Sequence, residues 1–95
     1  MITNAELVRQ AKLDLKVSLG QTDWVVLSDD EDFEPRLVRR LTRETIILSY
    51  HRRNCNWSAR VIGQPFSAEV GPSAPEAYIK LRKVVEFMAS MLKDM

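Results

Sequence analysis

Apolar positions along the chain change period from one segment to the next, and each period predicts an element. Leu7, Val8, Ala11, Leu15 and Leu19 recur at helical spacing and share one face. Thr3-Asn4-Ala5-Glu6 places a capping box in front of them, and Gly20 stands where a glycine closes a helix. Leu13, Leu15, Val17 and Leu19 also alternate with Lys12, Asp14, Lys16 and Ser18, which is strand periodicity. The alternation accounts only for the second half of the segment, and both caps favour the helix. Trp24-Val25-Val26-Leu27 is a short run of β-formers and predicts a strand. In residues 36–43, arginines at 36, 39, 40 and 43 interleave with Leu37, Val38 and Leu41. That pattern fits a helical turn as well as an edge strand.

From Thr45 to His51 the period is two, with Ile46, Leu48 and Tyr50 on one face and Ile47, Ser49 and His51 on the other. Trp57 to Ile62 repeats it, with Trp57, Ala59 and Val61 on one face. A tight turn at Asn54-Cys55 sets Tyr50 opposite Ala59 and Leu48 opposite Val61, so every inward residue meets another. Phe66, Ala68 and Val70 are expected on the inner face of a third strand, which Gly71-Pro72 ends. Ser73-Ala74-Pro75-Glu76 is then an S-x-x-E capping box with proline in the first helical turn. Ala77, Leu81, Val84, Val85, Met88, Leu92 and Met95 continue at helical spacing. Ile79 and Phe87 fall outside this stripe and either pack on the first helix, the favoured reading, or mark a partner contact.

Together these segments predict one α+β domain over residues 1–95. Its antiparallel sheet of three or four strands carries an N-terminal and a C-terminal helix on one face, in α-β-β-β-α order. The opposite face would carry Ile47, Ser49, His51, Ser58, Arg60, Ile62, Ser67 and Glu69. That mixture is too apolar for a solvated surface and too polar for a second core, so the face is a candidate binding surface.

Composition narrows the chemistry. With 14 basic and 13 acidic residues the net charge is +1, so no global field favours nucleic acid or a membrane. One cysteine excludes an intramolecular disulfide framework and a cysteine-based zinc cluster. The first residues lack the basic and apolar regions of a signal peptide, and no apolar run reaches membrane-spanning length. A cytoplasmic location is therefore expected.

Three clusters are candidates for function. Asp29-Asp30-Glu31-Asp32-Phe33-Glu34-Pro35 holds five acids in six residues. It reads as a solvated loop that could imitate a phosphate backbone. As a calcium loop it fails, because Pro35 stands where glycine is needed and Leu41 where glutamate is needed. Arg36, Arg39, Arg40, Arg43, Arg52, Arg53 and Arg60 are seven of the fourteen basic residues and include no lysine. Arginine suits bidentate contacts to carboxylates and phosphates. Arg52-Arg53 beside Trp57 would suit phosphate binding with stacking, whereas Arg52 across from Trp57 could equally form a structural cation–π pair. His51 and Cys55 lie four apart across a turn, but a dyad also needs a third group and an oxyanion donor, neither of which is readable here. No phosphate loop, dinucleotide fingerprint or paired-histidine metal motif is present.

The segment Gly71-Pro72-Ser73-Ala74-Pro75-Glu76-Ala77 resembles the G-D-T-x-E-E-A turn of HicB-type antitoxin domains, through Gly71, Ser73 in place of threonine, Glu76 and Ala77. That resemblance implies a non-catalytic domain that binds a small RNA-cleaving toxin. The same stretch is similar to the double-stranded-RNA-binding domain, where Gly71, Ser73 and Ala77 match its G-x-S-K-K-x-A-K turn. The lysines of that turn fall at Ala74, Pro75 and Tyr78, so its RNA grip is not implied.

The expected function is a non-enzymatic protein–protein interaction domain, antitoxin-like or like a phage-encoded inhibitor. It would bind and neutralise or modulate a toxin or a nucleic-acid-processing complex. The partner-binding residues would be Asp29, Asp30, Glu31, Asp32, Arg36, Arg39, Arg40, Arg43, His51 and Arg60. The alternative is direct RNA or DNA binding by the Arg36–Arg60 cluster, centred on Arg52, Arg53 and Trp57. No catalytic residue, metal or cofactor is expected, and no membrane partner. Homodimerisation through an edge strand or the last helix stays open.

Overall fold

Both capping boxes start helices in the computed structural model of the chain, which describes residues 2–64 and 68–93. Helix α1 spans Asn4–Leu19. The Thr3 hydroxyl accepts from the Glu6 amide at 3.2 Å, and Gly20 closes the helix at φ 67°, a left-handed conformation in which glycine carries no Cβ penalty. Val8, Ala11 and Leu15 are buried, while Leu13 and Val17 are 52% and 76% exposed, so the helical period organises the whole segment. Helix α2 spans Ala74–Lys93, and the Ser73 hydroxyl accepts from the Glu76 amide at 3.3 Å. The return bond from the Glu76 carboxylate to the Ser73 amide is not among the described hydrogen bonds.

Between the helices lie β1 (Val25–Ser28), β2 (Arg36–Arg40), β3 (Thr45–His51), β4 (Asn56–Val61) and β5 (Glu69–Gly71). They form one antiparallel meander in the order β1-β2-β3-β4-β5. The strand reading of residues 36–40 therefore prevails over the helical one. It prevails because β2 inserts Leu37 opposite Leu48 and buries both completely. The sheet thus has five strands, one beyond the three or four counted from the pattern.

Two expected registers are corrected. Tyr50 pairs with Trp57, Leu48 with Ala59 and Ile46 with Val61, a shift of two residues from a turn centred on 54 and 55. A four-residue loop, Arg52–Cys55, makes the connection, with Asn54 N–H donating to the His51 carbonyl and Cys55 in the left-handed region at φ 51°. An even shift preserves parity, so the inward residues still meet one another. The last strand has the opposite parity to that expected. Gly71 pairs with Trp57 and Glu69 with Ala59 on the inner face, while Val70 pairs with Ser58 on the outer face and is 44% exposed. The cause is the first turn of α2, which sits directly on Gly71. A Cβ there would lie 2.7 Å from the Ala77 backbone nitrogen, so glycine is required by close approach. Phe66 and Ser67 lie outside the described residues.

The core is shared by both helices and one sheet face. Val8, Ala11, Leu15, Leu37, Ile46, Leu48, Trp57, Ala59, Val61, Ala77 and Leu81 form its contiguous cluster. Trp24 closes one end by packing edge-on to Tyr78, with ring centroids 5.6 Å apart. Arg82 of α2 binds Glu44, Val85 still packs on the core, and beyond it α2 leaves the core: every residue from Glu86 to Met91 is exposed. Ile79 and Phe87, expected to pack on α1, are 39% and 64% exposed, because they point away from the stripe that meets the sheet.

Candidate binding face

Strand parity sends a second set of side chains to the sheet face that no helix covers. One row across that face runs Val25, Val38, Ile47, Arg60, and the next runs Arg36, Ser49, Ser58, Val70. Arg40, opposite Thr45, lies on the same face. Val38 and Ile47 form its floor at 7% exposure each, and Val25, Leu27, Ile62 and Val70 stand 44–60% exposed around them. Arg36, Arg40 and Arg60 are exposed and take part in none of the described ion pairs or side-chain hydrogen bonds. The result is an aliphatic patch ringed by three unpaired guanidinium groups. A groove of about 220 Å³ lined by Asp23, Val25, Val26, Leu27, Val38 and Arg40 continues it to the sheet edge.

At the other end of the face His51 Nε2 lies 2.8 Å from Ser58 Oγ, and its Nδ1 lies 3.3 Å from a Glu34 carboxylate oxygen. The connectivity is that of a nucleophile, a base and an orienting acid. Among the described residues, the β4 amides beside it are not free to serve as oxyanion donors. Trp57, Ser58 and Ala59 pair with β3 on one side and with β5 on the other, so their amides are engaged in the two ladders. The arrangement sets an imidazole and a hydroxyl side by side at this end of the open face.

Two of the other arginines, Arg39 and Arg52, serve the fold. Arg39 follows β2 parity onto the helix side, where its Nε donates to both Asp23 oxygens at 2.9 Å and its Nη1 to the Tyr78 hydroxyl at 2.6 Å. Burial pulls its pKa down, but the Asp23 hydrogen bond and the pairing with Tyr78 outweigh burial and leave it above the ordinary arginine value. Arg39 is therefore placed with the core, not with Arg36 and Arg40. Arg52 turns to α1: its Nε donates to Asn4 Oδ1 at 3.1 Å and its Nη2 to the Ile2 carbonyl at 3.0 Å. Glu31 lies 3.6 Å from the same guanidinium. The expected cation–π pair with Trp57 is not formed. Trp57 is 5% exposed and packs on Tyr50 at 5.2 Å, so Arg52, Arg53 and Trp57 do not converge on a base-stacking site. Arg43 and Arg53 are exposed in connections. Burial, together with the neighbouring Cys55, raises the Tyr50 phenol above its ordinary pKa, with Arg52 acting in the opposite direction.

The acidic block divides as well. Glu31 accepts from the Asn4 amide at 2.6 Å, and the carbonyls of Asp30 and Phe33 accept from Asn4 Nδ2 at 2.8 Å each. The Asp30 carboxylate accepts from the Asp32 amide at 3.0 Å. Fully buried Asn4 thus ties α1, the acidic loop and the β3–β4 hairpin together, a role that its place in a capping box does not announce. Asp29 and Asp32 keep exposed side chains. Among the described residues no cluster of three metal-ligating side chains is assembled, and no helix is long and apolar enough to cross a membrane.

Val25, Leu27, Val38 and Glu34 complete the face without having been singled out from the sequence. Val25 and Leu27 alternate with Val26 inside a uniformly apolar run that hides their parity, and Glu34 reads as one acid among five. Comparison with known protein families, with curated proteins and with solved structures returns no match.

Proposed function

We propose that this chain is a non-enzymatic protein-binding domain of antitoxin or inhibitor type, and that the open sheet face is its docking surface. The observation that carries this reading is the placement of Arg36, Arg40 and Arg60, all without ion-pair partners among the described residues, around exposed Val25, Leu27, Ile62 and Val70. An apolar centre with an arginine rim is the composition of a protein interface, and the rim selects a partner with an acidic border. The residues that carry the resemblance to antitoxin domains, Gly71 to Ala77, have a structural duty here in seating α2 on the sheet.

Direct nucleic-acid binding is the second reading, favoured by the same three guanidinium groups. It is the weaker because base stacking needs exposed aromatic rings, and the side chains between the arginines are aliphatic or serine. The test is affinity capture from bacterial lysate, with and without nuclease, by the natural chain and by an Arg36→Glu/Arg60→Glu variant. A protein retained after nuclease and lost with the variant is the expected result. Recovery of nucleic acid, with binding that falls steeply with salt, would move the assignment to the second reading. Equal capture by both chains would remove the open face from the interface.

A further inference from the structure

The ladders fix which residues of the open face stand level with one another. Val25, Val38 and Ile47 form an apolar row across β1, β2 and β3, and Arg60 closes the row on β4. The bulge in β1 falls after Val26, so this row is in register. Neighbouring strands lie about 4.8 Å apart, and the three aliphatic side chains therefore recur at nearly the pitch of an α-helix, about 5.4 Å. A strand laid along the row would point a side chain down only about every 6.7 Å, out of step with the floor. Arg36 and Arg40 stand on either side of Val38 on β2, about 13 Å apart along the strand. A helix with its side chains is about 10–12 Å wide, so it fits between them with a guanidinium group at each flank.

We infer that the partner presents an acidic amphipathic helix to this face, with its apolar stripe along Val25, Val38 and Ile47 and its carboxylates at Arg36, Arg40 and Arg60. The inference rests on the docking reading and names the partner's chemistry. Charge complementarity selects the occupant. All three guanidinium groups are exposed and have no ion-pair partner among the described residues. Their planar forks suit carboxylates bidentately. Asp23, the acid at this sheet edge, is already held by Arg39 at 2.9 Å. Val38 and Ile47, at 7% exposure each, give a floor without projecting bulk, and Val25 at 60% walls its β1 end. The chain's own helices supply no acidic flank. Among the described residues α1 exposes Arg9, Lys12 and Lys16 beside Glu6, and α2 exposes Lys80 and Lys83 beside Glu76 and Glu86. A nucleic acid would satisfy the arginines but leave the aliphatic row without an apolar partner.

The test is an NMR titration of the isotope-labelled chain with synthetic peptides. The first carries leucine at i, i+3, i+4 and i+7 with glutamate on both flanks of that stripe. The second has lysine in place of glutamate, and the third has the residues of the first reordered to alternate leucine with glutamate. The first peptide should shift the amides of Val38, Ile47 and Arg60. The other two should bind about tenfold more weakly or worse, as should the first peptide with Arg36→Glu/Arg60→Glu. A denaturant midpoint serves as the control that the variant is folded. Equal binding of the alternating peptide overturns the inference, as does an acidic helical peptide that leaves those amides unmoved. Larger shifts with a DNA or RNA oligonucleotide overturn it in favour of nucleic acid. Shifts of the same amides that follow the chain's own concentration overturn it in favour of a second copy. The docking reading fails separately, when lysate capture is undiminished by Arg36→Glu/Arg60→Glu. A protein captured through those arginines that the acidic helical peptide does not displace leaves the docking reading standing and sinks the helical partner.

Discussion

Arg39 and Arg40 are adjacent on β2, and the two faces of the sheet put them to different uses. On the covered face Arg39 is held by Asp23 and Tyr78, beside the Trp24–Tyr78 aromatic pair. On the open face Arg40 stands with Arg36 and Arg60 around an aliphatic patch, and none of the three has an ion-pair partner among the described residues. Arg52 belongs with Arg39, because Asn4 and Glu31 hold it to the N-terminal end of α1. One residue type therefore supplies both internal struts and a charged rim, and strand parity with loop geometry decides which. The lesson is that a cluster of arginines counted along a chain is not a cluster in space until the register is known.

The contrast predicts separable effects on stability and binding. The largest is expected at Asn4. Asn4→Ala leaves the Asp30 and Phe33 carbonyls and the Arg52 guanidinium without their buried partner, and should lower unfolding free energy by about 3 kcal/mol in a urea titration. Arg39→Ala follows, at about 1–3 kcal/mol for the loss of its charged hydrogen bonds. Arg36→Ala, Arg40→Ala and Arg60→Ala should each change stability by less than about 0.5 kcal/mol. An Arg40 variant as destabilised as the Arg39 variant would erase the contrast.

A smaller effect should appear at alkaline pH. Tyr50 has a raised pKa in the fold, so the folded state keeps its phenol proton longer than the unfolded chain does. The stability this provides is fully present below the ordinary phenol value of about 10 and is lost as pH rises through the folded-state value. Tyr50→Phe should flatten that alkaline decline in denaturant midpoints measured from pH 8 to 11, and an unchanged slope would remove Tyr50 from the effect.

Much of the fold is legible in local chemistry. Thr3, Gly20 and Ser73 mark helix ends because caps are made by residues close in sequence, and the period-two runs around Leu48 and Ala59 expose the sheet. Non-local geometry is harder to read. Nothing next to Gly71 shows that the backbone of Ala77 will come within reach of an added Cβ, so the parity of β5 was not readable from Phe66, Ala68 and Val70. The two-residue shift of the hairpin depends on the Arg52–Cys55 loop and its anchorage to Asn4, forty-eight positions upstream of Arg52. The open face was legible where alternation was clean, at Ile47, Ser49, His51, Ser58, Arg60 and Ile62. It was hidden in Val25 to Leu27, where three apolar residues in a row carry no parity signal.

The central claim is that the open face, with its free arginines, is the docking surface. The most direct test compares Arg36→Glu/Arg60→Glu with the natural chain in nuclease-treated bacterial lysate, after matched denaturant midpoints confirm that both are folded. The account predicts that the variant captures its protein partner roughly tenfold less, or not at all. Capture undiminished by the double charge reversal would contradict it.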